Sequence, residues 1–555
     1  MPNSQPQAGA AGAKPRDPAE DRRTLEAVVE AARLREHARA AALARAALAS
    51  GLEHPVLFNV VALDLELAGR LAEAAEWLHR AVEVAPRDVG VRNALGLCLL
   101  QLERPAEALE QFDALAASNP EFPFVHVSRG NALRALGQAS EAEASYRRAV
   151  AIDAEHPLAW AGLAQISAHR GTYREARFRA QKALAAAPDL PDAVMALGTA
   201  ELGERELSQA EARIRALLEA QSLAPLPRAY ARGLLGDILD AAGRLDEAFA
   251  AYTACNESLR QLYAGRFGSP SALEYVEAMN STLERSAPGP WQARVPAAAR
   301  DRAASGHVFL LGFPRSGTTL LEVILEGHPD VTTLEEKDSL IDATLELMRH
   351  PGDLEWLPRL VPGKLDALRA AYWGRVARAG VDVAGKLFID KYPLNTLRLP
   401  LIGRLFPDAK ILFACRDPRD VVLSCFRHRF QMSAPIYELL TIAGAARYYD
   451  AVMRLAIRCQ SLLKLDTCLV RHEDVVREFA REMKRICEFL GLEWHPGMGD
   501  FALRTKNRAV LTPSTAQLVR GLSTEGLGHW HRYRPQLEPV LEQLAPWVSR
   551  FSYEP

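Results

Sequence analysis

The stretch His307–Val331, HVFLLGFPRSGTTLLEVILEGHPDV, decides the fold of the C-terminal half. His307–Phe313 is a short apolar run, which predicts a buried strand. Gly312, Pro314, Ser316 and Gly317 predict a tight loop after it. From Thr318 onward, Leu320, Leu321, Ile324 and Leu325 form the apolar side of a helix. Such a strand–loop–helix gathers backbone N–H groups at a helix N-terminus, a natural cradle for a phosphate or similar anion. Gly312 and Gly317 carry the glycine spacing of G-x-x-x-x-G-K-[ST], but Thr318 stands at the lysine position. That lysine normally reaches the terminal phosphates of a nucleoside triphosphate, so its absence argues against an ordinary ATPase or GTPase. Arg315 puts the positive charge inside the loop instead.

Downstream, further strands are predicted near Lys386–Ile389, Lys410–Ala414 and Thr467–Arg471. Helices separate them, near Leu394–Leu405, Arg419–Arg429, Ile442–Leu465 and Val475–Leu490. This alternation predicts a parallel sheet covered on both faces, with ligands at the carboxyl ends of the strands. Strand 410–414 runs into CRDPRDVVLSCFRHRF. Its Arg416, Arg419, Arg427 and Arg429 make the segment locally basic. Arg416 and Ser424 suit a second phosphate clamp, although a solvated basic helix face explains the arginines equally well.

Upstream, the chain repeats itself. Pro86, Pro120, Ala154 and Pro188 fall 34 residues apart, as do Gly96, Gly130, Ala164 and Gly198. Ala40, Ala74, Ala108, Ala142, Ala176 and Ala210 keep the same interval. The period resembles that of the tetratricopeptide repeat, a helix hairpin whose small residues let the helices approach and whose apolar face only a neighbouring hairpin can cover. In one unit the first helix carries Leu95, Leu99 and Leu102, and the second carries Ala108, Phe112 and Leu115. RLDEAFAAY at 244–252 is shifted four residues from register, which predicts an insertion near 222–229. About six or seven units fit between residues 22 and 262. The expected organisation is a disordered leader over 1–21, the repeats over 22–262, a Pro- and Gly-punctuated helical or irregular linker over 263–303, and an α/β domain over 304–555. Asn59, Asn93 and Asn131 are candidates to line a peptide groove.

The 555 residues suffice for three or four domains at roughly 150 residues each. Lys and Arg number 67 against 69 Asp and Glu, so no general attraction to nucleic acid or anionic membrane is expected. No apolar run approaches the ~20 residues of a spanning helix, and no secretory h-region is seen. Seven scattered cysteines without a C-x-x-C pair predict reduced thiols and a cytoplasmic protein.

FPRSGTT after a strand, the acidic pair in HPDVTTLEEK, then DKYP and CRDPRDVVLS in this order resemble the sulfotransferase superfamily, and most of all its tyrosylprotein sulfotransferase branch. Proteins joining tetratricopeptide repeats to such a domain resemble the whole architecture: an all-α superhelix followed by a P-loop-like α/β domain. The resemblance implies 3′-phosphoadenosine 5′-phosphosulfate as donor. It implies that Arg315, Ser316, Gly317, Thr318 and Thr319 bind the 5′-phosphosulfate, and Arg416 and Ser424 the 3′-phosphate. Glu336 falls at the catalytic base, and Lys391 at the lysine facing the phosphosulfate bridge. Ser514 and Arg520 fall in the late cofactor-covering segment. Two positions depart from the pattern. His472 in RHEDVV replaces a tyrosine, and His428 replaces an arginine, with Arg427 and Arg429 beside it as substitutes.

The chemistry asks for the same residue types. A hydroxyl nucleophile at neutral pH needs a base within hydrogen-bond reach, which Glu336 supplies. Charge developing on the leaving oxygen needs Lys391 and the loop N–H groups. No metal is required, and no metal-ligand spacing is present. Taken alone, Glu336 reads as an exposed acid at a helix start, Lys391 as a surface lysine paired with Asp390, and Tyr392, Tyr448 and Tyr449 as packing. The expected activity is sulfuryl transfer to a hydroxyl, with protein tyrosine the favoured acceptor and a protein or peptide bound by the repeats. A glycan or small-molecule acceptor stays open, as does a repeat scaffold carrying a non-catalytic nucleotide-binding domain. The oligomeric state is not legible.

Overall fold

The structure, a computed structural model, describes residues 17–292, 304–507, 521–524 and 526–554. Among these, the first half consists of fourteen helices: α1 (Pro18–Arg33), α2 (His37–Ala49), α3 (Pro55–Leu67), α4 (Leu71–Val84), α5 (Val89–Gln101), α6 (Pro105–Ser118), α7 (Pro123–Ala135), α8 (Ala139–Ile152), α9 (Pro157–His169), α10 (Tyr173–Ala186), α11 (Pro191–Gly203), α12 (Leu207–Glu219), α13 (Pro225–Ala241) and α14 (Leu245–Phe267). α1 begins inside the expected leader. Asp17 caps it by accepting from the Ala19 N–H, and Pro18 occupies the first position, where no amide hydrogen is needed.

Helices α3, α5, α7, α9, α11 and α13 start 34 residues apart. One residue in the left-handed region turns each hairpin: Arg35, Gly69, Glu103, Gly137, Gly171, Arg205 and then Gly243. The last step is four residues too long. The sequence predicts the insertion near 222–229, and α13, 17 residues long where α11 has 13, carries its extra residues in its first half: Gly236 packs on Tyr252 as Gly96 does on Phe112, so the unit's pattern is resumed by Gly236. The extra residues are one added helical turn, which a helix absorbs without breaking its hydrogen-bond ladder. The periodic alanines, from Ala40 to Ala210, are fully buried. The glycines serve close packing: a Cβ on Gly96 would lie 2.5 Å from the Phe112 ring.

The chain divides into two compact units, one of residues up to Ile166 with Gln181–Pro188, the other of Ser167–Ala180 with Asp189 onward. The final hairpins therefore belong to the same unit as the C-terminal sheet. So does the segment read as a linker. There α15 (Ala272–Arg285) lies against the helix Ile442–Leu463, with the Asn280 amide donating to the Ala451 carbonyl at 3.0 Å.

The sheet has five parallel strands: β1 (Gly306–Gly312), β2 (Val331–Glu335), β3 (Leu387–Lys391), β4 (Lys410–Cys415) and β5 (Thr467–Arg471). Their order is β2-β3-β1-β4-β5. One face packs Val308, Leu310, Leu412 and Val470 against Ile324 and Ile486. The other packs Phe309 against Tyr372 and Phe406, with ring centroids about 6 Å apart. Two elements had not been read from sequence. β2 is five residues long at the sheet edge and carries two threonines, so it gives little hydrophobic signal. The helix Pro362–Arg378 covers the second face. All seven cysteines are free and buried. Among the described residues, no helix is long and apolar enough to cross a membrane.

Candidate active site

β1 and β4 are neighbours, with Gly312 opposite Ala414, so the loops that follow them open at one place. The chain leaves β1 toward β2 on one side and β4 toward β5 on the other. This is the switch point where α/β sheets form a crevice. Gly312 must be glycine: its φ is 156°, and a Cβ would meet the Ala414 carbonyl oxygen at 2.5 Å. Gly317 is the left-handed N-cap (φ 95°) of the helix Thr318–Leu325. A Cβ there would lie 2.5 Å from His472 Nδ1, so the imidazole closes directly over the loop.

Arg315 also adopts a left-handed backbone (φ 71°), which turns its side chain across to the following segment. Its Nε donates to Ser424 Oγ at 3.0 Å. Burial, with the Arg416 and Arg427 charges nearby, lowers the Arg315 guanidinium to about 10; it is still charged at neutral pH. The same burial, joined by Arg416 and Arg315, pushes His472 down to about 3, so it sits neutral between them. Desolvated cations that face one another are held against their own repulsion, which an anion would relieve.

A cavity of about 910 Å³ joins these groups. Arg315, Gly317, Thr318, Thr319, Glu336, Arg416, Ser424 and His472 all line it. Arg416 is fixed by ion pairing with Asp420 at 3.6 Å and by donating to the Gly526 carbonyl. Ser316 is buried and turned into the loop, its N–H donating to the Phe313 carbonyl at 3.2 Å. Ser514 and Arg520 lie outside the described residues.

Lys391 departs from the expected arrangement. It is fully buried at the end of β3, and Glu336, not Lys391, lines the cavity. Its ammonium contacts Glu336 Oε1 at 2.8 Å, Glu335 Oε1 at 3.2 Å and Glu322 Oε2 at 3.2 Å. Burial opposes its charge, yet the three carboxylates outweigh that and hold its pKa above the ordinary value. Glu322 escaped the sequence reading, although it is the lone acid in the helix TTLLEVIL. The supposed pairing of Lys391 with Asp390 is wrong, because successive strand residues point to opposite faces. Asp390 instead accepts from Tyr372 Oη at 2.8 Å, and Tyr372 meets His307 Nε2 at 2.9 Å. Burial pushes Asp390 up to about 7.

The basic stretch after β4 is largely neutralised within the fold. Asp417 caps the helix Pro418–Arg427 and binds Arg419, whose guanidinium also lies 4.0 Å over the Trp530 ring. Asp420 accepts from the Gly528 and Trp530 N–H groups at 2.8 Å each. Arg429, proposed as a phosphate substitute for His428, is bound to Asp237 of α13 at 2.5 Å and is not in the cavity wall. Arg427 lines the cavity but is also bound, to Asp240 of α13 at 2.7 Å. His428 is neutral, its pKa well below the ordinary value through burial and the Arg315 and Arg429 charges. Tyr448 and Tyr449 are packing residues, whereas Tyr392 lines the cavity. The repeat side of the wall, Arg205, Asp240 and Ala241, had no motif to mark it.

The fold and site thus define a parallel α/β domain with a glycine-bearing loop at a helix N-terminus and a cavity lined by several arginines. Residues 307–496 match the model of the sulfotransferase family, and residues 65–126, 123–166 and 195–255 match three tetratricopeptide-repeat models. One chain thus carries a match to the sulfotransferase family beside matches to tetratricopeptide repeats. The protein-tyrosine sulfotransferase A of Caenorhabditis elegans is 26% identical over 268 residues, covering 45% of this chain and 68% of that protein. The protein-tyrosine sulfotransferase of Drosophila melanogaster is 24% identical over 269 residues, 45% of this chain and 52% of that protein. An uncharacterised protein of Aquifex aeolicus is 26% identical over 257 residues, 44% of this chain but only 33% of its own length. The sulfotransferase domain of the curacin biosynthetic pathway aligns at 18% identity over 45% of this chain and 98% of its own, with a TM-score of 0.30.

Proposed function

We propose that this protein transfers a sulfuryl group from 3′-phosphoadenosine 5′-phosphosulfate to an acceptor hydroxyl. The observation that carries this is one cavity lined together by Arg315, Arg416, Ser424 and Glu336, residues drawn from the segments that follow three different strands. The loop N–H groups from Gly317 to Thr319 and the Arg315 guanidinium would hold the phosphosulfate end. Arg416, with the Ser424 hydroxyl, would hold the 3′-phosphate. The donor supplies an activated S–O bond; the chain's own residues place the acceptor and handle the proton. Glu336 takes the proton from the acceptor hydroxyl as the new O–S bond forms. Lys391 orients that carboxylate through its 2.8 Å contact. Negative charge gathering on the departing phosphate oxygen is met by the loop donors and Arg315, which are already in place and need no reorganisation.

Protein tyrosine is the acceptor we favour, because the curated relatives carry that name and the repeats, a family that generally binds proteins, can present a polypeptide. The free, buried thiols suit a cytoplasmic protein. Calorimetric titration with 3′,5′-adenosine bisphosphate, beside ATP and the Arg416→Ala variant, tests the reading. Selective binding that the variant loses supports it. No binding, or equal binding of ATP, overturns it and leaves a repeat scaffold.

A further inference from the structure

The turn end of α13 lies in the cavity wall. Asp240 and Ala241 stand there, at the positions that Leu202 and Gly203 take in α11, each just before the left-handed residue of its hairpin. Asp240 is 9% exposed and gathers groups from two distant segments. Its Oδ2 binds Arg427 at 2.7 Å, and its Oδ1 accepts from Tyr533 Oη at 2.7 Å. His529 Nε2 and Arg532 approach Oδ1 at 3.6 and 3.4 Å, and Arg532 also donates to the Asp240 carbonyl at 3.2 Å. Arg427 lies three residues beyond Ser424 on the same helix. The segment holding His529 and Tyr533 is continuous with Gly526, whose carbonyl holds Arg416.

We propose that Asp240 is a positioning residue for the site: the last repeat hairpin fixes Arg427 and the 526–533 segment as the wall that keeps Arg416 and Ser424 in place. Asp240 touches no reacting atom in this scheme and acts through Arg427 and Tyr533. The inference rests on the donor-site reading given above. Asp237 provides the internal control. It belongs to the same helix and binds Arg429 in a similar ion pair, but neither partner lines the cavity.

The experiment compares Asp240→Asn, Asp240→Glu and Asp237→Asn in the full chain. Asp240→Asn should weaken 3′,5′-adenosine bisphosphate binding by about tenfold, the low end for losing a charge-assisted hydrogen bond. Asp240→Glu should restore part of it, and Asp237→Asn should leave the dissociation constant unchanged. In combination with Arg427→Gln, Asp240→Asn should add less than it costs alone, the remainder being its hold on Tyr533. Without any nucleotide, amide exchange over 526–533 should rise in Asp240→Asn and not in Asp237→Asn. If the wild type binds and Asp240→Asn binds as tightly, the positioning role falls while the donor reading stands. If the wild type does not bind, the donor reading falls, and unchanged exchange over 526–533 overturns the anchoring on its own.

Discussion

The hairpins α5–α6 and α13–α14 are built from one pattern and do different things. Both begin in the 34-residue register, both turn on a left-handed residue, and both carry the same surface clasp, Arg104 with Glu107 in one and Arg244 with Glu247 in the other. In the first, every inward residue serves packing: Leu95, Leu99, Phe112 and Leu115 are buried against one another. In the second, Asp237 and Asp240 near the turn end of α13 pair with Arg429 and Arg427 of the α/β domain. A repeat keeps its geometry because each contact is local, so the position that is Leu202 in α11 can be Asp240 in α13 without disturbing the stack.

The same contrast appears within a single strand. Lys391 and Asp390 are adjacent in β3, yet one meets three glutamates near the cavity and the other a tyrosine in the opposite layer. Neither partnership follows from adjacency in sequence.

The largest expected effect breaks the packing hairpin. Phe112→Ala should cost about 3–5 kcal/mol of stability, read from denaturant midpoints, because it leaves a hole beside Gly96. Donor binding by the protein that remains folded should not change. Next comes Asp390→Asn. The native Asp390 holds its proton up to about 7, whereas a free Asp releases it near 3.8, so the wild type loses stability as pH rises between those values. The variant should lack that decline, gaining on the wild type by a few kcal/mol between pH 4 and pH 8 in urea titrations. A decline that persists in the variant would assign the effect elsewhere.

Arg416→Ala should act on the opposite quantity. Adenosine bisphosphate binding should fall by about 1.5–3 kcal/mol, the range for hydrogen bonds to charged groups, with little loss of melting temperature. The smallest effect belongs to the clasp that both hairpins share. Arg104→Ala removes two hydrogen bonds to Glu107, yet it should shift stability by less than about 0.5 kcal/mol, since both side chains are solvated. A large loss there would mean that the repeats depend on their surface charges more than on their small-residue core.

Much of this was legible. The period placed the hairpins, and the loop of Gly312 to Gly317 was identified from its glycines, which the backbone requires. The loop residues, Arg416, Ser424 and Glu336 are brought to one cavity, as their order along alternating strands and helices allows. Other features left little trace. β2 is too short and too polar to stand out. The four arginines after β4 read as a basic patch, but each has a carboxylate partner, two of these on α13.

By itself, the sequence determined what depends on local spacing: the helix hairpins, the glycine-bearing loop and the strand–helix alternation. These are set by the 3.6- and 2-residue periods of side chains along a backbone and by the conformations only glycine tolerates. The tertiary structure alone decided which charges meet. Asp240 reaches Arg427 across 187 residues of chain, and Lys391 reaches Glu322 and not Asp390. Ion pairing depends on distance in space and on exclusion of water, and neither is written in the spacing of residues along the chain.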